Sequence, residues 1–396
     1  MRVAPAGSLT PEGDERVVDG AGRTVTPGLI DARSQIVFRD PLRRALPPAV
    51  ARDSLRAQVR SGVTAVRDLG SPIGPAARLR VALGARVLGP AAELGGPWLS
   101  LEPNADRSVD PHEAALEARV VTSSRDVVRA IEEVSRAGGR WLAVRPPADL
   151  AGPAAERLDE IAREAASHGL ALAVRAVDER SLRWALSVNA RSLEELAGYR
   201  GEIAEELLGR IASSGAVVVP LANLVRVREV GSNGEYELDK QTRWLGRATW
   251  WGELARLDRQ IRSRHDAPAE RDAARARMES FRTNVARLVA SGVSIALGTG
   301  SPAAFAFPER PGDEIAELSN AGLVGSALAE ACTVTGLKLV TEAAGTGAVV
   351  AGAPANLVVW ECDPIQDAHC FQRPRWVVTR GGVVEGRPTQ SARPFL

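Results

Sequence analysis

The sequence predicts an α/β fold, and within that class a (β/α)8 TIM barrel. Strand-like apolar runs alternate with helix-like amphipathic runs along most of the 396 residues. Eight such strands occur up to residue 297, with helices between them, which is the order that a barrel of parallel strands requires. No short internal repeat indicates a solenoid or a propeller. A chain of this length can bury a barrel core and still form a small extra domain.

The first predicted barrel strand lies in residues 25–37, VTPGLIDARSQIV. Its apolar run is entered through a Pro-Gly turn and left through Asp31. A short buried strand of this kind carries polar side chains to one end of a sheet. We therefore expect Asp31 and the residues after it at the barrel mouth.

The remaining elements follow in regular order, and glycine caps end two of the helices, at Gly62 and Gly169. Strands are predicted within residues 61–70 and at 84–89, 141–145, 170–175, 190–195, 216–220 and 293–297. Helices are predicted at 49–61, 124–137, 153–168, 179–186, 202–213 and 273–290. A longer excursion at about 225–280 interrupts this alternation. It is rich in arginine and tryptophan, the latter including Trp244, Trp250 and Trp251.

Composition and charge argue against several function classes. Apolar residues make up 45% and charged residues 25% of the chain, which is ordinary for a soluble globular protein. The formal net charge of +1 gives no reason to expect nucleic acid or an anionic membrane. The excursion carries twelve Lys/Arg against ten Asp/Glu, so it forms no basic stripe. A cover over the barrel mouth or a partner interface is the better interpretation.

The cysteines and histidines give little sign of a cross-linked or metal-bound protein. The three cysteines are too few and too badly spaced for a disulfide framework. None of the four histidines lies at the carboxyl end of a predicted strand, and the His369-Cys370 pair near Cys362 matches no common zinc pattern. No apolar run is long enough for a membrane span. The N-terminus lacks a signal-peptide signature, so we expect a cytoplasmic protein, unless the start codon is placed too late.

Several motifs resemble those of the amidohydrolase superfamily. Members of that superfamily have Pro-Gly-Leu-Ile-Asp-x-His-x-His at the first barrel strand, and residues 27–35 share this frame. Residues 62–70, GVTAVRDLG, resemble the second strand, and residues 345–360 and 376–384 resemble the C-terminal strands. The resemblance covers nearly the whole chain and is strongest to imidazolonepropionase- and prolidase-like members. It implies a barrel at 27–344 and a small β-sandwich from 1–26 and 345–396, shortened at its N-terminal side.

The resemblance also implies a metal centre, whose ligand positions are changed here. Members of the family hydrolyse substrates with one or two divalent metals that polarise a carbonyl and activate water. Two His, a carboxylated Lys, two further His and an Asp hold these metals. The corresponding positions in this sequence hold Arg33, Gln35, Ala143, Arg175, Glu195 and Gly300. Arginine has no acceptor, alanine cannot carry a carbamate, and one carboxylate does not make a site. We therefore expect no metal and no cofactor.

Two functional hypotheses remain open. The favoured one is a non-catalytic pseudoenzyme, acting as a structural or regulatory partner of an active paralogue or of a second copy, or binding a small molecule. The alternative is a metal-free hydrolase of amide bonds, as in dipeptides or cyclic amides. Its pocket candidates are Asp31, Asp68, Glu194, Glu195, Thr299 and Ser301. No nucleophile–base pair is visible among them, and Asp68 is expected to be structural.

The charges of the substituted positions predict a local arrangement. Arg33 and Arg175 are complementary to Glu195, and a lone buried charge would be costly. We expect these three side chains to approach one another at the barrel mouth, with Asp31 as a further acceptor. The competing interpretation is that each arginine reaches out to solvent. An oligomer is also expected, because the short N-terminal part leaves a sandwich edge unpaired.

Overall fold

The computed structural model describes residues 22–37, 48–84, 89–102, 118–230, 268–301, 310–340 and 347–386, with scattered residues before 22. The strands are β1 (Thr24–Pro27), β2 (Leu29–Ser34), β3 (Val63–Asp68), β4 (Ala91–Leu94), β5 (Trp98–Ser100), β6 (Ala118–Val120), β7 (Trp141–Arg145), β8 (Ala171–Arg175), β9 (Ser192–Glu194), β10 (Val217–Val219), β11 (Leu357–Trp360), β12 (Pro374–Thr379) and β13 (Gly382–Glu385). The helices are α1 (Pro48–Arg60), α2 (Ile73–Gly84), α3 (Ser124–Arg136), α4 (Pro153–Ser167), α5 (Glu179–Ser187), α6 (Glu205–Ser214), α7 (Ala222–Val230), α8 (Pro268–Ala290), α9 (Pro311–Asn320) and α10 (Gly325–Cys332).

Two parallel sheets build the barrel, ordered β2-β3-β4 and β10-β9-β8-β7-β5-β6. The last segment, residues 293–301, joins them, because Ile295 bridges to Val218 on β10 and Ser301 bridges to Ser34 on β2. With β5 and β6 set aside, seven strands and this closing segment surround the interior. The predicted (β/α)8 barrel is therefore confirmed.

The junction between β4 and β7 closes the opposite side of the barrel. The main-chain N–H of Arg140, just before β7, donates to the carbonyl of Leu94 at 3.0 Å. Leu94 is fully buried at the end of β4. The hydrogen-bonded circuit thus passes directly from β4 to β7, and β5 and β6 form an extension of the sheet beside it.

The third strand differs from its prediction. Residues 84–89 were expected to form it, but Gly84 ends α2 and the strand is Ala91–Leu94; residues 85–88 lie outside the described residues. The sequence of β4 is AAEL, whose alanines and glutamate are poor strand formers. Pairing with β3, in which Ala65 lies opposite Ala91, decides its position. The three-residue strands β5 and β6 were not predicted.

Local signals explain the helices that surround the barrel. At α3 the Ser123 hydroxyl accepts from the N–H of Asp126 while the Asp126 carboxylate accepts from the N–H of Ser123, which is a reciprocal N-terminal cap. The same helix buries Val127, Ile131 and Val134, spaced so that they share one face. This face packs on the sheet, so the apolar stripe fixes how the helix lies on the barrel.

The two chain ends meet in one antiparallel sheet of order β1-β11-β12-β13. Trp360 of β11 is fully buried; its indole donates to the Thr26 hydroxyl at 2.8 Å and meets the Phe371 ring edge-on at 5.4 Å. No second sheet facing this one occurs among the described residues, so the sandwich and its domain boundaries stay predictions. Residues 16–18 form a strand-like run near the N-terminus. Val17 of this run is exposed and lies in no strand, while residues 16 and 18 lie outside the described residues.

The cysteine expectation was wrong for one pair, because Cys362 and Cys370 form a disulfide with their Cα atoms 5.5 Å apart. A turn after β11 and the 3-10 segment Ala368–Gln372 bring them together, a local geometry that spacing alone does not reveal. Cys332 is a buried free thiol.

None of the described helices has the length and apolar character that a bilayer span requires. Residues 231–267 of the excursion, with its three tryptophans and His265, lie outside the described residues, as does His112.

Candidate functional site

Three of the substituted positions come together at the carboxyl ends of the strands. The Arg175 Nε lies 2.5 Å from Glu195 Oε2, and Arg33 Nη2 lies 3.7 Å from Glu195 Oε1. The predicted approach of Arg33, Arg175 and Glu195 is confirmed, and we call these residues the outer cluster. Their side chains are 4%, 11% and 17% exposed. Water therefore reaches the edge of this cluster but not its centre.

The electrostatics of the outer cluster keep Glu195 charged. Burial raises the pKa of this carboxyl, but the guanidiniums of Arg175, Arg145 and Arg33 outweigh burial and hold the pKa at about 2. Glu195 also has a left-handed backbone, with φ 60° and ψ 31°. This conformation is rare for a residue with a side chain. The hydrogen bond from its N–H to the Val219 carbonyl, 2.9 Å long, helps to hold it.

A buried tryptophan supports two of these arginines. The Arg33 guanidinium carbon lies 4.6 Å and that of Arg145 5.3 Å from the Trp98 ring centroid, within the range of cation–π attraction. Trp98 is fully buried, and its indole nitrogen has no hydrogen-bond partner among the described residues. Arg33 also donates to the Leu69 carbonyl. The aromatic faces replace part of the hydration that the guanidiniums lose on burial.

A second cluster lies deeper, and we call Arg67, Ser192 and Glu194 the inner cluster. The Arg67 Nη2 lies 2.5 Å from Glu194 Oε1, and both side chains are fully buried. The Ser192 hydroxyl accepts from Arg67 at 2.7 Å and donates to Glu194 at 2.6 Å. Arg67 also donates to the Ala32 carbonyl at 2.7 Å and lies 4.5 Å from the Trp141 ring centroid. Because β3 and β9 belong to different sheets, this network spans the barrel interior.

The Asp31 carboxylate binds the closing segment, and it does not bind the arginine side chains. Its carboxylate accepts from the main-chain N–H of Thr299 at 2.9 Å and from the Thr299 hydroxyl at 2.5 Å. It also accepts from the main-chain N–H of Arg33 at 3.2 Å, so the expectation that it would receive the guanidinium forks was wrong. The reason is that the Thr299 N–H and hydroxyl and the Arg33 main-chain N–H already occupy the carboxylate. Burial raises the pKa of Asp31 to about 6, against the lowering by these hydrogen bonds.

Asp68 lies at the end of β3 and is fully buried. It accepts from the Ser71 hydroxyl at 2.6 Å, and its second oxygen has no hydrogen-bond partner among the described residues. Burial raises its pKa to about 7. Asp68 therefore exchanges a proton near neutral pH, although its contacts fit the structural role that was expected.

The other predicted positions serve packing and closure. Gln35 is 8% exposed and Ala143 is fully buried. Gly300 has φ +66°, and a Cβ there would lie 2.6 Å from a Leu221 methyl group, so a side chain would not fit without movement. The Ser301 carbonyl accepts from the Ser34 hydroxyl at 3.1 Å, within the contact that closes the barrel.

Comparison with known proteins decides the family. The model of the amidohydrolase family matches residues 24–388, which is nearly the whole chain. The chain belongs to the amidohydrolase family. Its first barrel strand, its closing segment and its terminal sheet all lie within the matched region.

Solved structures of amidohydrolase-family proteins share this fold. A putative prolidase from Bifidobacterium longum has a TM-score of 0.75 at 18% identity, covering 99% of this chain and 88% of that one. A Xaa-Pro dipeptidase with bound methionine in its active site has a TM-score of 0.68 at 18% identity, covering 96% and 91%. The ochratoxinase of A. niger has a TM-score of 0.67 at 18% identity, covering 94% and 87%. No curated protein matches the chain significantly. At these identities the likeness shows the fold alone.

The residues of this amidohydrolase-family chain do not fit the metal centre of the family. Both oxygens of Glu195 contact guanidinium nitrogens, so this carboxylate is already engaged by cations. Ala143 presents only a methyl group to the interior. In the part of the chain that the structure describes, no three His, Cys, Asp or Glu side chains are arranged to hold a metal ion.

Sequence reasoning missed four members of the site: Arg67, Arg145, Trp98 and Trp141. Arg67 was visible as a charged residue within an apolar strand, VTAVRD, and a buried charge requires a partner. Arg145 likewise ends the apolar strand WLAVR. The tryptophans carried no signal of their own, because large apolar side chains are common in any core.

Proposed function

We propose that this amidohydrolase-family protein is non-catalytic and acts by binding at its barrel mouth. The observation that carries the proposal is the outer cluster. Two guanidiniums stand at positions where the family resemblance implies histidine ligands, and both contact Glu195. Arginine stays protonated under physiological conditions and repels a cation. The ion pair therefore takes over the volume and the charge balance that a metal centre would supply.

The chemistry of the mouth favours a small anion as its occupant. Guanidinium forks bind carboxylates and phosphates through paired, charge-assisted hydrogen bonds. Of the two guanidiniums of the outer cluster, that of Arg175 has the more solvent contact, so an incoming carboxylate meets Arg175 before Arg33. An active relative or a second copy of the chain is the macromolecular partner we propose, and light scattering alone and with a paralogue tests it. A monomer at all concentrations, unchanged by the paralogue, would contradict that part.

Turnover measurements test the non-catalytic role. The full chain is assayed with Xaa-Pro dipeptides, N-acyl amino acids and cyclic amides, with added zinc or manganese and with a chelator. We expect no hydrolysis above the uncatalysed rate in either condition. Metal-stimulated hydrolysis that a chelator abolishes would overturn the proposal.

Calorimetric titration with acetate, succinate and inorganic phosphate then tests the binding role, with succinamide as the neutral control.

One observation favours a second candidate, a metal-free amide hydrolase. Burial raises the pKa of Asp31 to about 6 and that of Asp68 to about 7, and carboxyls that titrate near neutral pH are suited to acid–base work. Hydrolysis that persists in chelator and disappears in Asp68→Asn, while circular dichroism shows that the variant is folded under the assay conditions, would support this candidate. Absence of hydrolysis in all assays leaves the non-catalytic proposal standing.

A further inference from the structure

We propose that the Cys362–Cys370 disulfide is a reversible redox clasp that fixes the 3-10 segment Ala368–Gln372 against helix α9. The proposal concerns the C-terminal part of the chain and does not depend on what the barrel mouth binds. It also explains why a chain with only three cysteines places two of them at bonding distance.

The two cysteines of the disulfide differ in their exposure to solvent. Cys362 follows β11 and is partly exposed, whereas Cys370 lies within the 3-10 segment and is fully buried. The segment between them makes its own turn, since the Cys370 N–H donates to the Asp367 carbonyl at 3.0 Å. The Asp367 carboxylate accepts from the His369 N–H at 2.9 Å. The disulfide thus closes a compact loop, and Cys362, the partly exposed of its two cysteines, is the one that a small thiol would approach.

The clasp is connected to the barrel through two buried neighbours. Phe371 packs edge-on against Trp360, whose indole is bound to the terminal sheet. Gln372 lies so close to the first turn of α9 that a Cβ on Gly312 would come within 2.7 Å of its Cγ. Loss of the disulfide releases the loop that carries Phe371 and Gln372. We therefore expect the packing of Gln372 against Gly312 of α9 to loosen.

Helix α9 carries this connection to the start of α7. The Glu314 carboxylate accepts from the main-chain N–H groups of Ala222 and Asn223 at 2.9 and 2.7 Å. These two residues begin α7, which leads towards the excursion. A change in the position of α9 is therefore expected to alter the cap of α7, whose residues lie 91 and 92 positions earlier in the sequence.

The redox step is thiol–disulfide exchange with a small-molecule thiol such as glutathione. A thiolate attacks the Sγ of Cys362, the S–S bond breaks, and the electron pair leaves on Cys370, which takes up a proton. A second thiolate attacks the mixed disulfide and releases Cys362, so two external thiols become one external disulfide. The reverse reaction uses oxidised glutathione. Burial raises the pKa of the Cys332 thiol, so Cys332 does not take part.

Redox titration of the full chain tests the clasp. The protein is equilibrated in glutathione buffers of graded ratio, its thiols are alkylated, and mass spectrometry counts them. We expect one reversible two-electron transition confined to Cys362 and Cys370. Hydrogen exchange is then compared between the two states, and we expect reduction to speed exchange at least about tenfold in residues 368–372 and in the first turn of α9. Strands β7 and β8 serve as the internal reference and should not change.

Two variants separate the clasp from unrelated effects. Cys332→Ser should keep the transition and the exchange pattern of the unmodified chain. Cys362→Ser/Cys370→Ser should show the exchange pattern of the reduced chain in either buffer. Free Cys362 and Cys370 thiols in protein purified in air would overturn the proposal. So would a disulfide that glutathione cannot reduce in the folded chain, or a reduction that leaves exchange in α9 unchanged.

Discussion

The inner and outer clusters, both built on arginine and glutamate within the described part of the barrel, differ in how far water reaches them. The inner pair, Arg67 and Glu194, is fully buried with a 2.5 Å contact, whereas the outer pair, Arg175 and Glu195, has side chains that are 11% and 17% exposed. The two glutamates are consecutive in sequence. Side chains of consecutive strand residues normally point to opposite faces, but the left-handed backbone of Glu195 ends the alternation and allows both to face arginines of the barrel.

The comparison assigns different roles to the two clusters. The inner cluster connects strands of the two sheets and is closed to solvent, although the second oxygen of Glu194 has no hydrogen-bond partner among the described residues; its position indicates a structural tie. The outer cluster stands where the family resemblance implies metal ligands and meets solvent at its edge, which fits the binding role that we propose. The difference in burial should therefore appear as a difference in stability between variants of the two clusters.

Removal of the inner arginine should have the largest effect. Arg67→Ala leaves Glu194 buried without its cation, and breaking a buried pair in this way costs about 3–5 kcal/mol. Urea unfolding measures the change. The matched control, Arg67→Met/Glu194→Leu, removes both charges and should recover much of that loss. A double variant as unstable as the single variant would show that the ion pair itself, and not the uncompensated charge, sets the stability.

Removal of the outer arginine should cost less. Arg175→Ala leaves Glu195 near water and still beside Arg33, so we expect about 1–3 kcal/mol, between the values for exposed and buried pairs. The same urea experiment compares it directly with Arg67→Ala. Equal losses in the two variants would mean that the outer cluster is as dry as the inner one, and the distinction between them would fail.

Asp68 and Glu195 should change the pH dependence of the unfolding free energy in opposite directions. Burial raises the pKa of Asp68 from 3.8 to about 7, so its contribution is fully present below pH 3.8 and is lost as the pH rises through 7. The pKa of Glu195 is lowered from 4.5 to about 2, so its contribution is lost as the pH falls from 4.5 through 2. We expect Asp68→Asn to flatten the fall in unfolding free energy between pH 4 and 7, by at least about 1 kcal/mol. An unchanged slope would contradict the assignment.

An exposed pair provides the smallest effect and the reference for the others. Arg183 contacts Glu179 at 2.8 Å and Glu206 at 2.8 Å on the surface of α5 and α6. Arg183→Ala should leave the unfolding free energy nearly unchanged, because exposed pairs are screened by water. A clear loss would mean that truncation of any arginine destabilises this protein. The difference between Arg67→Ala and Arg175→Ala could then not be attributed to burial.

The sequence predicted the barrel and the outer cluster because both follow from the ends of apolar strands. Arg33, Arg175 and Glu195 are charged residues at the carboxyl ends of such strands, where complementary charges can pair. The inner cluster was missed because nothing in VTAVRD shows whether Arg67 points into the barrel or away from it. That direction depends on register, which the pairing of β3 with its neighbours sets. The Cys362–Cys370 bond depends on a turn between them, and no strand or helix periodicity reports it.

Zinc titration tests most directly the claim that an ion pair replaces a metal at the barrel mouth. Calorimetry compares the unmodified protein with Arg33→His/Arg175→His, which restores two imidazoles beside Glu195 and removes both cations. We predict no saturable zinc binding at the mouth of the unmodified protein and stoichiometric binding by the variant. Stoichiometric zinc binding by the unmodified protein that Glu195→Gln abolishes would contradict the account.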